Sequence, residues 1–232
     1  MSSHLRARVL AGYIVAAIGL QALCAASAGA PENLADVEKQ LIAYHDSGQY
    51  ERQLEREAVR VIAYLHRRAQ QVKKPAIVLD IDETALSNWP KLLANQFAFF
   101  PTGPCHIPHG PCGEDSWEKL AAATPIRATH DIYLAARANG VTVFFITGRK
   151  EALRAATERN LSAAGYTEFA ALMMEPDGSQ FASAAGFKST QRHKIEQQGF
   201  TIIANVGDQR SDLTGGYEER GFKLPNPFYR IP

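Results

Sequence analysis

The chain has 232 residues, enough for one sizeable domain with its own core. Hydrophobic residues make up 46% and charged residues 21%, which is ordinary for a soluble globular protein. A formal net charge of +1 removes any bulk electrostatic reason to expect a nucleic acid polymer as partner.

The N-terminus, "MSSHLRARVLAGYIVAAIGLQALCAASAGA", places Arg6 and Arg8 before an apolar run from about Val9 to Leu23 and then small residues. That is the layout of a secretory signal peptide. Cleavage after Ala26-Ser27-Ala28 is expected, so residues 1–28 are read as the signal peptide and 29–232 as the mature domain, periplasmic or secreted. A retained anchor is the alternative, but the run falls short of the roughly 20 residues a span needs. Cys24 follows Gln21, Ala22 and Leu23, which fit a lipobox poorly.

Apolar positions at Leu34, Val37, Leu41 and Tyr44 form a helical stripe over 32–46. A second helix carries Tyr50, Leu54, Ala58, Val61, Ile62 and Leu65 on one side. Lys73-Lys74-Pro75 ends it and leads into a strand, "AIVLDIDETALSNWP", whose apolar run contains Asp80 and closes on Asp82, Glu83 and Thr84.

Residues 86–125 resist assignment and read as an insert over one end of a sheet, rich in Trp89, Phe97, Phe99, Phe100 and Trp117 and in prolines. Those aromatics are read first as the insert's own small core, and second as a surface that stacks a base or aryl group. Within the insert, "GPCHIPHGPCG" holds Cys105 and Cys112. In an exported chain such a pair is most simply one disulfide; a zinc knot with His106 and His109 is the alternative. His45, His66, His130 and His193 suggest no partners.

Alternation then resumes: a helix at about 127–139, the buried strand "VTVFFIT" at 141–147, a helix at 150–164, the strand "FAALMM" at 169–174, a helix at about 189–198 and the strand "TIIANV" at 201–206. This order predicts an α/β fold, a parallel sheet with helices on both faces.

Polar residues follow the ends of these strands: Asp80 and Asp82, then Thr147-Gly148-Arg149, then Asp208 with Asp212 four residues on. Ligands of open α/β sheets bind outside the carboxyl ends of the strands. Four carboxylates brought there repel one another unless a cation sits among them, and oxygen ligands without Cys or His suit Mg²⁺. Thr147 offers a hydroxyl and Gly148 a backbone N–H to an anionic oxygen. Lys188, read as lying just before a helix, adds a positive charge, with Lys194 the runner-up. These are the components of phosphoryl transfer, with Asp80 as nucleophile and Asp82 as acid and base. Arg149 serves either as a salt-bridge partner or as a substrate contact.

"DIDET", "ITGR", Lys188 and "GDQRSDL" resemble the four motifs of the haloacid dehalogenase superfamily of phosphatases. More narrowly, "DETALSNWP", "FKSTQRHKIEQQGFTIIANVGDQRSDLTGG" and the tail "RGFKLPNPFY" are similar to exported acid phosphatases of the class B/C type. The branch they resemble most includes plant acid phosphatases and vegetative storage proteins. The resemblance covers about residues 33–232. It implies a Rossmann-like sheet with the first strand central, a cap insert after motif one, and Mg²⁺ held by Asp80, the Asp82 carbonyl and Asp208, with Asp212 a weak or outer ligand. The implied function is hydrolysis of phosphate monoesters through an aspartyl-phosphate. Some storage relatives lack the nucleophilic Asp, so an idle storage or phosphate-binding protein is the alternative, and a phosphotransferase a third. Nucleotide, sugar phosphate and aryl phosphate all remain open as substrates, and a homo-oligomer is open as well.

Overall fold

The computed structural model describes residues 30–231; the expected signal peptide and its cleavage point lie outside them. Among the described residues no helix is long and apolar enough to cross a membrane. Helix α1 (Leu34–Asp46) starts where the Asn33 side chain accepts the Ala35 N–H at 3.0 Å. Gly48, at φ +71°, supplies the left-handed turn into α2 (Gln49–Arg68). Tyr50, Leu54, Ala58, Val61 and Leu65, spaced three or four apart along α2, are all buried.

The chain then runs through β1 (Pro75–Leu79), β2 (Leu86–Ser87), α3 (Trp89–Ala94), α4 (Glu114–Leu120), β3 (Thr124–Pro125) and α5 (Arg127–Ala138). It continues through β4 (Thr142–Lys150), α6 (Arg154–Ala163), β5 (Ala171–Glu175), α7 (Ala184–Gln197), β6 (Thr201–Gly207), α8 (Arg210–Leu213) and β7 (Gly221–Lys223). Strands order as β5-β4-β1-β6-β7, every pair parallel, with β1 in the middle. The α/β fold read from the sequence is borne out.

The apolar strands carry little alternation because both sheet faces are covered. Ala76 and Val78 point to one side, where Phe144, Ile146 and Ile202 meet Phe187 and Ile195 of α7. Ile77 and Leu79 point to the other, in the larger core that includes Leu54 and Val61 of α2 and Ile132 and Ala136 of α5.

Helix α7 starts five residues earlier than the sequence pattern suggests, because the Ser183 hydroxyl accepts the Gly186 N–H at 3.2 Å and caps it. Lys188 therefore lies within the helix, not before it. Strand β7 was not anticipated: it is a three-residue edge with only Phe222 buried. Helices α3 and α4 were missed as well, since six and seven residues are too few to show a period.

Residues 86–87 and 124–125 pair as a two-stranded antiparallel ribbon, Leu86 with Pro125 and Ser87 with Thr124. Cys105 and Cys112 form a disulfide, which displaces the zinc alternative. The buried Asn95 brackets its second half: Oδ1 accepts the Cys112 N–H at 2.8 Å and Nδ2 donates to the Cys112 carbonyl at 3.0 Å.

Candidate active site

Asp80 follows the last residue of β1, and its N–H donates to Val206 of β6 at 3.0 Å. Asp208 follows the last residue of β6, and Asp212 sits in α8 one turn later. One carboxylate oxygen from each of Asp80, Asp208 and Asp212 lies within 4.8 Å of the others, and all three residues are buried. From the opposite side α7 delivers Lys188, whose Nζ donates to Asp80 Oδ1 at 2.5 Å and to Asp212 Oδ1 at 2.6 Å.

Three ionised carboxylates outnumber the one ammonium bonded to them, Lys188; a second, Lys223 Nζ, donates to the Asp208 backbone carbonyl at 2.7 Å and not to a carboxylate. Burial pushes the Asp80 carboxyl well above its usual range, with Asp212 and Asp208 adding to the effect and Lys188 opposing it. Burial likewise pushes Asp208 up to about 6, reinforced by Asp212. Burial works against the Lys188 charge, but Asp80 and Asp212 outweigh it, and the ammonium is held protonated. A divalent cation among hard oxygen donors would offset the excess negative charge, so the residues present fit such a cation.

Asp208 is oriented before any cation arrives. Thr84 Oγ1 donates to its Oδ1 at 3.2 Å, and Gln209 Nε2 and Asn226 Nδ2 each donate to its Oδ2 at 2.6 Å. Asp212 is fixed by a capping box at the start of α8, its Oδ2 accepting the Gln209 N–H at 2.7 Å.

Asp82 is not part of the three-carboxylate cluster. Its carboxylate turns to Arg149 at the end of β4, with Arg149 Nη2 on Oδ1 at 2.6 Å and Arg149 Nε on Oδ2 at 3.0 Å. Burial alone would raise its pKa, but the Arg149 charge and hydrogen bonds hold the carboxyl well below the usual carboxylate range. Arg149 is thus a salt-bridge partner in this structure. Thr147 is buried, and its Oγ1 accepts the Arg149 N–H at 3.2 Å. That leaves its own O–H to donate elsewhere. Gly148 is exposed, and a Cβ built on it would meet nothing within 4 Å.

A family model described as HAD superfamily, subfamily IIIB (acid phosphatase), matches residues 17–232. The chain belongs to that family. This HAD subfamily IIIB protein is 32% identical over 155 residues to "Acid phosphatase 1" of Solanum lycopersicum, covering 66% of this chain and 58% of the relative. It is 33% identical over 173 residues to "Stem 28 kDa glycoprotein" of Glycine max, covering 73% and 65%. With "Vegetative storage protein 1" of Arabidopsis thaliana it shares 31% over 174 residues, covering 73% and 62%. The chain thus spans about three fifths of the length of these curated relatives. Among solved structures, the class C acid phosphatase from Bacillus anthracis superposes with a TM-score of 0.67 at 23% identity, over 85% of this chain and 86% of that one. That likeness carries the fold.

Several buried polar residues of the subfamily IIIB site escaped the sequence reading. Glu83 sits at φ +52° with no exposed surface. It accepts the Asn88 N–H at 2.5 Å and the Tyr50 hydroxyl at 3.3 Å, and burial pushes it up to about 8. Asn88 donates to Asp82. Arg192 is fully buried and donates to the carbonyls of Asp212 at 2.6 Å, Thr214 at 2.6 Å and Gly216 at 2.8 Å, which pins the loop after β6. The available signal was its spacing: four residues after Lys188, it lies on the same face of α7.

The aromatics of 86–125 divide. Trp89 and Phe97 pack on Phe228 of the C-terminal tail, His45 stacks on Trp89 at 3.7 Å between ring centres, and Trp117 is buried. Phe99, 73% exposed, stays on the surface. The insert's aromatic core is therefore shared with α1 and the tail. His66 pairs with Asn139, His193 with Gln197, and His130 lies against Tyr133 and Tyr166.

Proposed function

We propose that the chain is an exported, Mg²⁺-dependent phosphomonoesterase that works through an aspartyl-phosphate on Asp80. The observation that carries this reading is the meeting of Asp80, Asp208 and Asp212 within 4.8 Å around a buried lysine, at the carboxyl ends of parallel strands. Asp80, the Asp82 backbone carbonyl and Asp208 would hold the cation, with Asp212 beside them. When bound, it supplies positive charge against the phosphoryl oxygens.

The remaining steps belong to the chain. Thr147 and the Gly148 N–H hold phosphoryl oxygens, and the Lys188 ammonium offsets their charge. An Asp80 carboxylate oxygen bonds to phosphorus as the bond to the leaving oxygen breaks. Arg149 keeps Asp82 ionised in the free protein, so the proton arrives with the substrate, a phosphate ester monoanion. Asp82 passes it to the leaving oxygen, which departs as an alcohol. In the second half Asp82 takes a proton from the attacking water, the Asp80–phosphate bond breaks, and the proton leaves with inorganic phosphate.

Hydrolysis of p-nitrophenyl phosphate by the mature chain, with Mg²⁺ and with EDTA, beside Asp80→Asn, tests the reading. Turnover that needs Mg²⁺ and drops by a factor of at least about 10⁴ in the variant is expected. Retained turnover in Asp80→Asn sinks the mechanism. The relatives named as storage proteins support a second reading, an idle phosphate-binding protein. Mg²⁺-dependent phosphate binding without turnover would favour it. Export rests on the apolar N-terminus and the Cys105–Cys112 disulfide.

A further inference from the structure

Asn88 is buried at the start of α3, and its side-chain amide lies between Asp82 and Trp117 of α4. Asn88 Nδ2 donates to Asp82 Oδ1 at 3.0 Å, while Asn88 Oδ1 accepts the Trp117 indole N–H at 2.7 Å. An indole nitrogen can only donate. It therefore selects the amide orientation with the oxygen toward Trp117 and the NH₂ toward Asp82. The flipped amide would set NH₂ against the indole N–H and a carbonyl against a carboxylate, losing both bonds together. The Asn88 backbone is held as well, its N–H donating to the buried Glu83.

The consequence falls on one oxygen. Asp82 Oδ1 accepts from Asn88 and Arg149 Nη2, with Arg149 Nε also within 3.3 Å, while among the described residues Oδ2 accepts from Arg149 Nε alone. Oδ2 is the oxygen with capacity left to exchange a proton. We propose that Trp117, acting through the Asn88 amide, is a positioning residue for Asp82, so that residues 86–125 help aim the acid–base group. This rests on the phosphomonoesterase reading above.

Trp117→Phe removes the N–H and keeps an aromatic ring of similar shape. Proton delivery matters for an alkoxide leaving group and little for nitrophenolate, which departs readily as an anion. The experiment compares kcat and kcat/KM for glycerol phosphate and p-nitrophenyl phosphate in wild type, Trp117→Phe, Asn88→Ala and the double variant. The expected result is a loss about tenfold larger for glycerol phosphate than for p-nitrophenyl phosphate in each single variant. The double variant should be no worse than Asn88→Ala, because Trp117 acts through that amide.

Equal losses on both substrates, or losses that multiply in the double variant, overturn the inference while leaving the phosphatase reading intact. A wild type idle on both substrates overturns the reading and this inference with it. If Trp117→Phe does not fold, Asn88→Ala and Asn88→Ser carry the comparison, and an equal loss on both substrates in those variants overturns the inference.

Discussion

Lys188 Nζ lies 2.5 Å from Asp80 Oδ1 and 2.6 Å from Asp212 Oδ1, so a single ammonium is shared by carboxylates from the end of β1 and from α8. The arrangement holds the cluster together without a metal, because a buried charge left unpaired is far costlier than a paired one.

Lys188→Met should therefore destabilise the metal-free protein by about 3–5 kcal/mol, the usual cost of breaking a buried ion pair from one side. Mg²⁺ should recover more stability in the variant than in wild type, where saturation to about 100 times Kd adds about 2.7 kcal/mol. Urea unfolding of both proteins in EDTA and in Mg²⁺ measures this. Equal stability in EDTA would show that the lysine is dispensable to the cluster.

Arg192 reaches three carbonyls of the loop that carries Asp212, and its Nε pairs with Glu218 at 3.0 Å. Arg192→Ala removes all of these and takes the guanidinium from the half-buried Glu218, which keeps its Asn205 hydrogen bond, at a cost of about 3 kcal/mol. Hydrogen exchange should quicken at residues 210–216 before it does in β1. Uniform exchange across the chain would contradict a local pinning role.

Glu118 of α4 is buried, 3.8 Å from Arg149 Nε. Burial pushes its carboxyl up to about 8; the nearby Asp82 adds to this and Arg149 opposes it. An unfolded glutamate ionises near 4.3. Between those values the folded state holds the extra proton, so this residue's contribution to stability is full below about 4.3 and lost as pH rises to about 8. Glutamine stays neutral throughout. Glu118→Gln should thus gain on wild type as pH goes from 5 to 8, read as the difference in Tm at each pH. A constant difference would rule out this titration.

The strands of the sheet were legible because they are buried on both faces and read as unbroken apolar runs, and α2 because its buried positions recur at three and four. The short elements were not. Helices α3 and α4 and strand β7 owe their existence to partners distant in sequence, such as Asn95 on Cys112 and Gly221 beside Asn205. At the site, Asp80, Lys188, Asp208 and Asp212 could be listed from strand ends and motifs. Asn88 could not, since an asparagine in an irregular stretch carries no sign of what it faces, and Trp117 was legible only as one of the insert's aromatics; Arg192 left only its spacing from Lys188 along α7.

By itself the sequence determined the fold class and the chemical inventory: which strands are buried, where they end, and that acids, a threonine and a lysine stand near those ends. Only the tertiary structure decided how those groups divide. It separates Asp82 from the other three carboxylates, because the end of β4 places a guanidinium beside it, and it gives Lys188 to Asp80 and Asp212. Charges of the same kind look alike along a chain, and pairing depends on distances of a few ångströms that only packing sets.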